Sequence, residues 1–225
     1  MAETLPRTIP VEGGSVSALL LRPPDARALL VLGHGAGAGM RHPFMENVSR
    51  RLAGKGVATL RYQFPYMEER RSRTDPPAVA AATVRAACEL ARTEAPELTL
   101  VAGGKSFGGR MTSTAQAEAP LPGVRGLVFV GFPLHPPGRP GTTRAEHLSR
   151  VAVPMLFLQG TRDDLADLTL LRTVTAGRGP LATLHVVEGG DHSFAVLKRS
   201  GRTGEEVLGE LAETTSAWID GLAEG

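Results

Sequence analysis

The sequence predicts an α/β protein with a mostly parallel sheet covered by helices on both faces. Three observations predict it. Short apolar runs alternate with longer amphipathic stretches. The middle runs are continuously apolar, as strands buried on both faces require. Finally, 42% of the 225 residues are hydrophobic, enough for the core of one large domain spanning residues 1–225.

The elements follow in order. Residues 8–10 and 15–21 are candidate strands joined through Gly13-Gly14, which reads as an antiparallel hairpin at one edge of the sheet. Six further strands are predicted at 28–32, 57–61, 98–102, 126–130, 155–159 and 183–187. Between and after them, helices are predicted at 44–55, 76–94, 107–118, 165–175 and 205–222. The second helix places Val79, Ala82, Ala86 and Leu90 at helical spacing. Residues 132–150 are rich in Pro and Gly and read as a long loop with little regular structure. That loop follows a strand, so it belongs to the carboxyl edge of the sheet, where open α/β folds bind ligands.

Composition excludes several classes of function. The net charge is only +2 and Arg70-Arg71-Ser72-Arg73 is too short a run for a nucleic-acid stripe. Aromatic residues make up 4%, which argues against base-stacking platforms. The lone cysteine, Cys88, cannot form an intrachain disulfide and falls on an apolar-rich helix, as a packing residue does. Residues 1–10 lack an apolar signal core, and no apolar stretch approaches the ~20 residues of a spanning helix. The expectation is a soluble, cytoplasmic protein acting on a small molecule, with no nucleic-acid or membrane partner. No H-E-x-x-H motif or Cys/His cluster suggests a metal site, and no cofactor is expected.

Chemistry concentrates just past four strands. After strand 98–102, Gly104-Lys105-Ser106-Phe107-Gly108 matches G-x-S-x-G, with an apolar strand before it and a helix-compatible segment after it. Side chains at 104 and 108 would collide with that strand and helix, and the sharp turn strains the serine backbone. Gly104-Lys105-Ser106 also spells the end of a Walker A motif, but the required earlier glycine is replaced by Thr99. After strand 155–159 come Asp163 and Asp164, either of which lies at the same sheet edge as Ser106. After strand 183–187, Gly189-Gly190-Asp191-His192 puts His192 on a glycine-preceded loop. A histidine there can take the Ser106 proton while an acid fixes its tautomer. His185 lies within a strand and His42 follows a glycine loop, whereas His135 and His147 lie on the long loop, where they can line the pocket but lack a partnered context.

After strand 28–32, the run Gly33-His34-Gly35-Ala36-Gly37-Ala38 also fits a dinucleotide fingerprint, G-x-G-x-x-A. That motif calls for an acid at the end of the next strand, where the chain reads Arg61-Tyr62-Gln63-Phe64. An arginine there suits a phosphorylated cofactor, but such a site leaves Ser106, Asp163 and His192 unexplained.

Taken together, GHGAG at 33–37, GKSFGGR at 104–110, QGTRD at 159–163 and DHSF at 191–194 resemble the α/β-hydrolase superfamily over nearly the full length. More narrowly, they are similar to its small dienelactone-hydrolase-like group. The resemblance implies an α/β-hydrolase fold with eight strands and a minimal cap. It implies Ser106 as nucleophile, His192 as base and Asp163 as orienting acid, since G-x-x-D after this strand is usual there; Asp164 then reads as the N-cap of the following helix. It further implies backbone N–H donors at Ala36 and Phe107 for an oxyanion, with His34 holding the loop. Dienelactone hydrolases proper use cysteine where this chain has Ser106, so lactone specificity does not carry over.

The activity implied is cleavage of an ester, thioester or similar acyl bond through an acyl-enzyme on Ser106. Phe64, Tyr66 and Met67 follow a strand and are expected to wall the cleft, while Arg70, Arg71 and Arg73 read as a solvated face. The alternative is a binding or scaffold protein that keeps the fold without turnover.

Overall fold

In a computed structural model that describes residues 3–223, eight strands hydrogen-bond into one sheet. The hairpin of β1 (Thr4–Val11) and β2 (Gly14–Leu21) turns through Gly13, whose φ of +79° costs a residue without Cβ little. Then follow β3 (Ala28–Gly33), β4 (Val57–Tyr62), β5 (Thr99–Lys105), β6 (Val124–Val130), β7 (Met155–Gly160) and β8 (Ala182–Val187). These six pair in parallel, and β2 joins them antiparallel to β4. The spatial order is β1-β2-β4-β3-β5-β6-β7-β8. Every residue of β3, β4 and β7 is buried. Both faces of these strands are covered, which is why they read as nearly unbroken apolar runs.

Helices α1 (Pro43–Ala53) and α6 (Gly204–Ala223) cover one face, packing Met45, Val48, Leu52 and Leu211 against Leu30, Val128 and Leu156. The other face carries α3 (Pro77–Glu94), α4 (Phe107–Glu118) and α5 (Leu168–Ala176), over Leu60, Phe129 and Phe157. The short α2 (Pro65–Glu68) lies between β4 and α3. No cap domain is inserted among the described residues. This is the α/β-hydrolase fold, a three-layer sandwich with a minimal cap. No helix among the described residues is long and apolar enough to cross a membrane.

The structure corrects several expectations. The buried stripe of α3 is Ala80, Val84, Ala87, Cys88 and Ala91, whereas Val79 and Ala82 face solvent. Alanine on both faces blurs the phase of the helix. β5 extends through Gly103 and Gly104, because their backbones continue the ladder to β3 and β6. The long segment after β6 ends in a 3₁₀ helix, Thr143–Arg150. Asp164 is not a helix cap. Asp163 Oδ1 accepts from Leu165 N at 2.8 Å, which forms a turn there and delays α5 until Leu168. Asp167 caps it instead, accepting from Leu170 N at 3.0 Å.

Candidate active site

Ser106 stands between the end of β5 and the start of α4, at φ +49° and ψ −111°. A left-handed φ costs a non-glycine residue on the order of 1–3 kcal/mol, so the surroundings must hold it. They do so from both sides: Ser106 N–H donates to Val130 O at 3.1 Å, and Ser106 O accepts from Arg110 N at 3.0 Å. The flanking glycines let β3 approach. A Cβ on Gly104 would lie 2.5 Å from Gly33 O, and one on Gly108 would lie 2.4 Å from both C and O of Gly33.

Loops after β7 and β8 bring two more side chains to the serine. His192 Nε2 lies 2.8 Å from Ser106 Oγ, and His192 Nδ1 lies 2.7 Å from Asp163 Oδ2. A neutral imidazole then carries its proton on Nδ1 and offers Nε2 to the serine hydroxyl. Asp163 is well partnered: Oδ2 also accepts from Gln159 Nε2 at 2.6 Å, and Oδ1 takes the Leu165 N–H. Gln159 is itself fixed, because its Oε1 accepts from Phe132 N at 2.9 Å. Thus β7 supplies the amide, and the loop that follows it the carboxylate that the amide orients. Gln159 opens the QGTRD run, but nothing in the sequence assigns it a role; in the fold it is fully buried.

The glycine loop after β3 faces the same point. Neither Ala36 N–H nor Phe107 N–H donates a hydrogen bond to another described residue. Phe107 opens α4, where a helix N-terminus favours negative charge. The loop is held from behind. His34 Nδ1 lies 2.8 Å from Gly35 O, and its Nε2 accepts from Phe64 N at 3.2 Å. Full burial pushes the His34 imidazole down to about 4, so it stays neutral and keeps Nε2 free to accept.

The model of the alpha/beta hydrolase domain family matches residues 26–220. This chain belongs to that family. Among solved structures, it is similar to a dienelactone hydrolase from Anabaena variabilis, with 20% identity, coverage of 97% of both chains and a TM-score of 0.76. A lidless α/β serine hydrolase from Xanthomonas campestris also has 20% identity, covering 96% of this chain and 95% of that one at a TM-score of 0.74. Est1E from Butyrivibrio proteoclasticus has 16% identity, covering 96% and 99% at a TM-score of 0.71. At these identities the likeness is one of fold.

In this α/β-hydrolase-family chain, a cavity of about 460 Å³ opens over Ser106 and His192, walled by Phe44, Met45 and Leu165. The expectation for the wall is corrected. Phe64 and Tyr66 are fully buried, stacked edge-on against Phe107 beneath the loop. Both aromatic rings belong to the core of the α3/α4 face. Met67 lines a neighbouring cavity of about 530 Å³, which shares Ala38 and His42 with the first. Tyr66 instead acts on the loop, with its Oη accepting from Gly37 N at 3.0 Å.

The remaining histidines are partnered elsewhere. His42 caps α1, His135 bridges Pro136 and Asp167, His147 meets Ser113, and His185 meets Glu210. Of the arginine run, Arg71 pairs with Glu69 and Asp75, and Arg70 borders the second cavity. Burial pushes the Cys88 thiol up to about 12, so it is no nucleophile at neutral pH. No group of His, Cys, Asp and Glu among the described residues has the makings of a metal site.

Proposed function

We propose that this protein is a serine hydrolase that cleaves an ester, thioester or related acyl bond. The observation that carries the reading is the unbroken chain from Ser106 through His192 to Asp163, with contacts of 2.8 Å and 2.7 Å. Ser106 Oγ attacks the acyl carbon as its proton passes to His192 Nε2. The carbonyl oxygen becomes an oxyanion facing the N–H groups of Ala36 and Phe107. As the tetrahedral species collapses, the bond to the alcohol or thiol breaks and His192 returns the proton to the leaving group. Water, deprotonated by the same imidazole, then attacks the acyl-Ser106 ester; the acyl–Oγ bond breaks, His192 returns the proton to Ser106 Oγ, and the acid leaves.

Asp163 remains a carboxylate throughout, holding Nδ1–H and stabilising the imidazolium. The steps draw on side chains, backbone N–H groups and water alone. The cavity of about 460 Å³, walled by two apolar side chains and one aromatic ring, suits a short acyl group. An elongated substrate would reach past Ala38 into the second cavity and meet Met67.

A fluorophosphonate probe tests this directly, followed by a panel of p-nitrophenyl esters, acyl-thioesters and lactones. Labelling at Ser106 that disappears in Ser106→Ala and His192→Ala, with turnover of at least one panel member, is the expected result. A folded protein that neither labels nor turns over any of them is a binding protein on a hydrolase scaffold, and the proposal fails.

A further inference from the structure

The residue between Gly104 and Ser106 has contacts that the chemistry above leaves unused. Lys105 ends β5 with its side chain directed across the sheet edge toward the histidine loop, and its Nζ donates to His192 O at 2.6 Å. The ammonium lies 5.5 Å from the centre of the Phe194 ring and 6.0 Å from that of Phe44. Those two rings stack at 6.0 Å and 19°. Phe44 comes from α1 and Phe194 from the loop beyond His192, so the clamp joins three parts of the chain. Gly131, at φ +69°, leaves the space: a Cβ there would lie 3.1 Å from Nζ and 3.6 Å from Asp163 Oδ2.

We propose that Lys105 is the positioning residue of the base: its ammonium, clamped by Phe44 and Phe194, holds the His192 carbonyl and so keeps the imidazole on Ser106. This rests on the serine-hydrolase reading of the same site. The histidine loop hangs past the end of β8, and Asp163 fixes only the ring. A second fixed point on the backbone of the same residue removes the rotation that would carry Nε2 away from Oγ. The lysine is one residue from the nucleophile on a rigid strand, so nucleophile and base share one support.

The clamp also predicts a pH dependence. A charged N–H···O bond is about twice as strong as a neutral one, and cation–π attraction needs the charge. The charged groups facing Lys105 are Asp163 after β7 and Asp191 after β8, with His192 beside them; α1 presents the Phe44 ring, and Met45 and the capping His42 line the same cavity. Burial outweighs the two carboxylates and pushes the ammonium down to about 8. Above that pH the lock loosens.

The experiment is fluorophosphonate labelling of Ser106 and kcat/KM for a short p-nitrophenyl ester from pH 6 to 10, with amide hydrogen exchange over residues 188–195. In the natural protein, both rates fall above pH about 8. Lys105→Arg keeps its charge and abolishes that fall. Lys105→Met lowers kcat by about tenfold or more at pH 7, consistent with loss of a charged hydrogen bond, leaves KM nearly unchanged, and speeds exchange of the loop amides. Should Lys105→Met not fold, the profiles of the natural protein and of Lys105→Arg decide. Rates that hold flat from pH 8 to 10 in the natural protein, or loop exchange unchanged in Lys105→Met, overturn the proposal. Absence of labelling at every pH overturns the hydrolase reading instead.

Discussion

Tyr66 Oη accepts the Gly37 N–H at 3.0 Å, tying the glycine loop after β3 to the short helix after β4. Ala36, the next residue back along the loop, lines the cavity, and its N–H donates to no other described residue. Tyr66 is in turn anchored, since its own N–H donates to the buried Asp75 at 3.1 Å. In Tyr66→Phe the ring still fills its place but Gly37 loses its acceptor. Ester kcat is expected to fall by about five- to thirtyfold with KM nearly constant, the effect of one hydrogen bond on loop geometry. A parallel rise in KM would instead mean that the tyrosine contacts substrate.

Asp163 and Asp164 are distinguished by their partners. Asp163→Asn keeps the size of the side chain but loses the charge that opposes an imidazolium and holds Nδ1–H. Steady-state assays should show kcat reduced by about 10³–10⁴. Asp164 has no hydrogen bond from its side chain to another described residue, and Asp164→Asn should keep kcat within about twofold. Equal losses in both variants would contradict the assignment of the acid.

Gly108 is a packing requirement rather than a source of flexibility. Its Cα lies so close to β3 that an added Cβ would meet Gly33 C and O at 2.4 Å. Gly108→Ala must push α4 off the sheet, and urea unfolding should show a loss of about 3 kcal/mol or more. Gly141, with nothing within 4 Å of an added Cβ, is the control: Gly141→Ala should leave the midpoint unchanged or slightly raised.

Acid should destabilise the fold well above the carboxylate range. Burial depresses both His34 and His147 from 6.5 to about 4. Between these values the unfolded chain binds protons that the folded chain refuses. Their contribution is therefore complete above pH 6.5 and is lost as pH falls toward 4. For fully buried His34 the slope is about 1.4 kcal/mol per pH unit within that window. Urea midpoints measured at pH 7, 6 and 5 should fall steadily; a flat series would mean that these imidazoles titrate normally in the fold.

Residue order along the chain was enough to specify the strands, the layered architecture and a serine, an acid and a histidine presented in that order, because apolar periodicity and glycine punctuation are local properties; between Asp163 and Asp164 only the family resemblance chose. Even so, local reading misplaced what depends on neighbours distant in sequence. Phe64 and Tyr66 look like cleft residues from their position after β4, yet they are packed beneath the loop because Phe107 arrives over them from α4. The cap of α5 moved from Asp164 to Asp167 because Asp163 forms its own turn. Gln159 and Lys105 stand inside the QGTRD and GKSFGGR runs, but nothing local assigns either a partner. Their partners, Asp163, Phe132 and His192, are brought to them only when parallel strands align their carboxyl ends. Chemistry carried by residue type was therefore legible in the sequence, whereas the supports that hold it in place arise from contacts that exist only in the folded sheet.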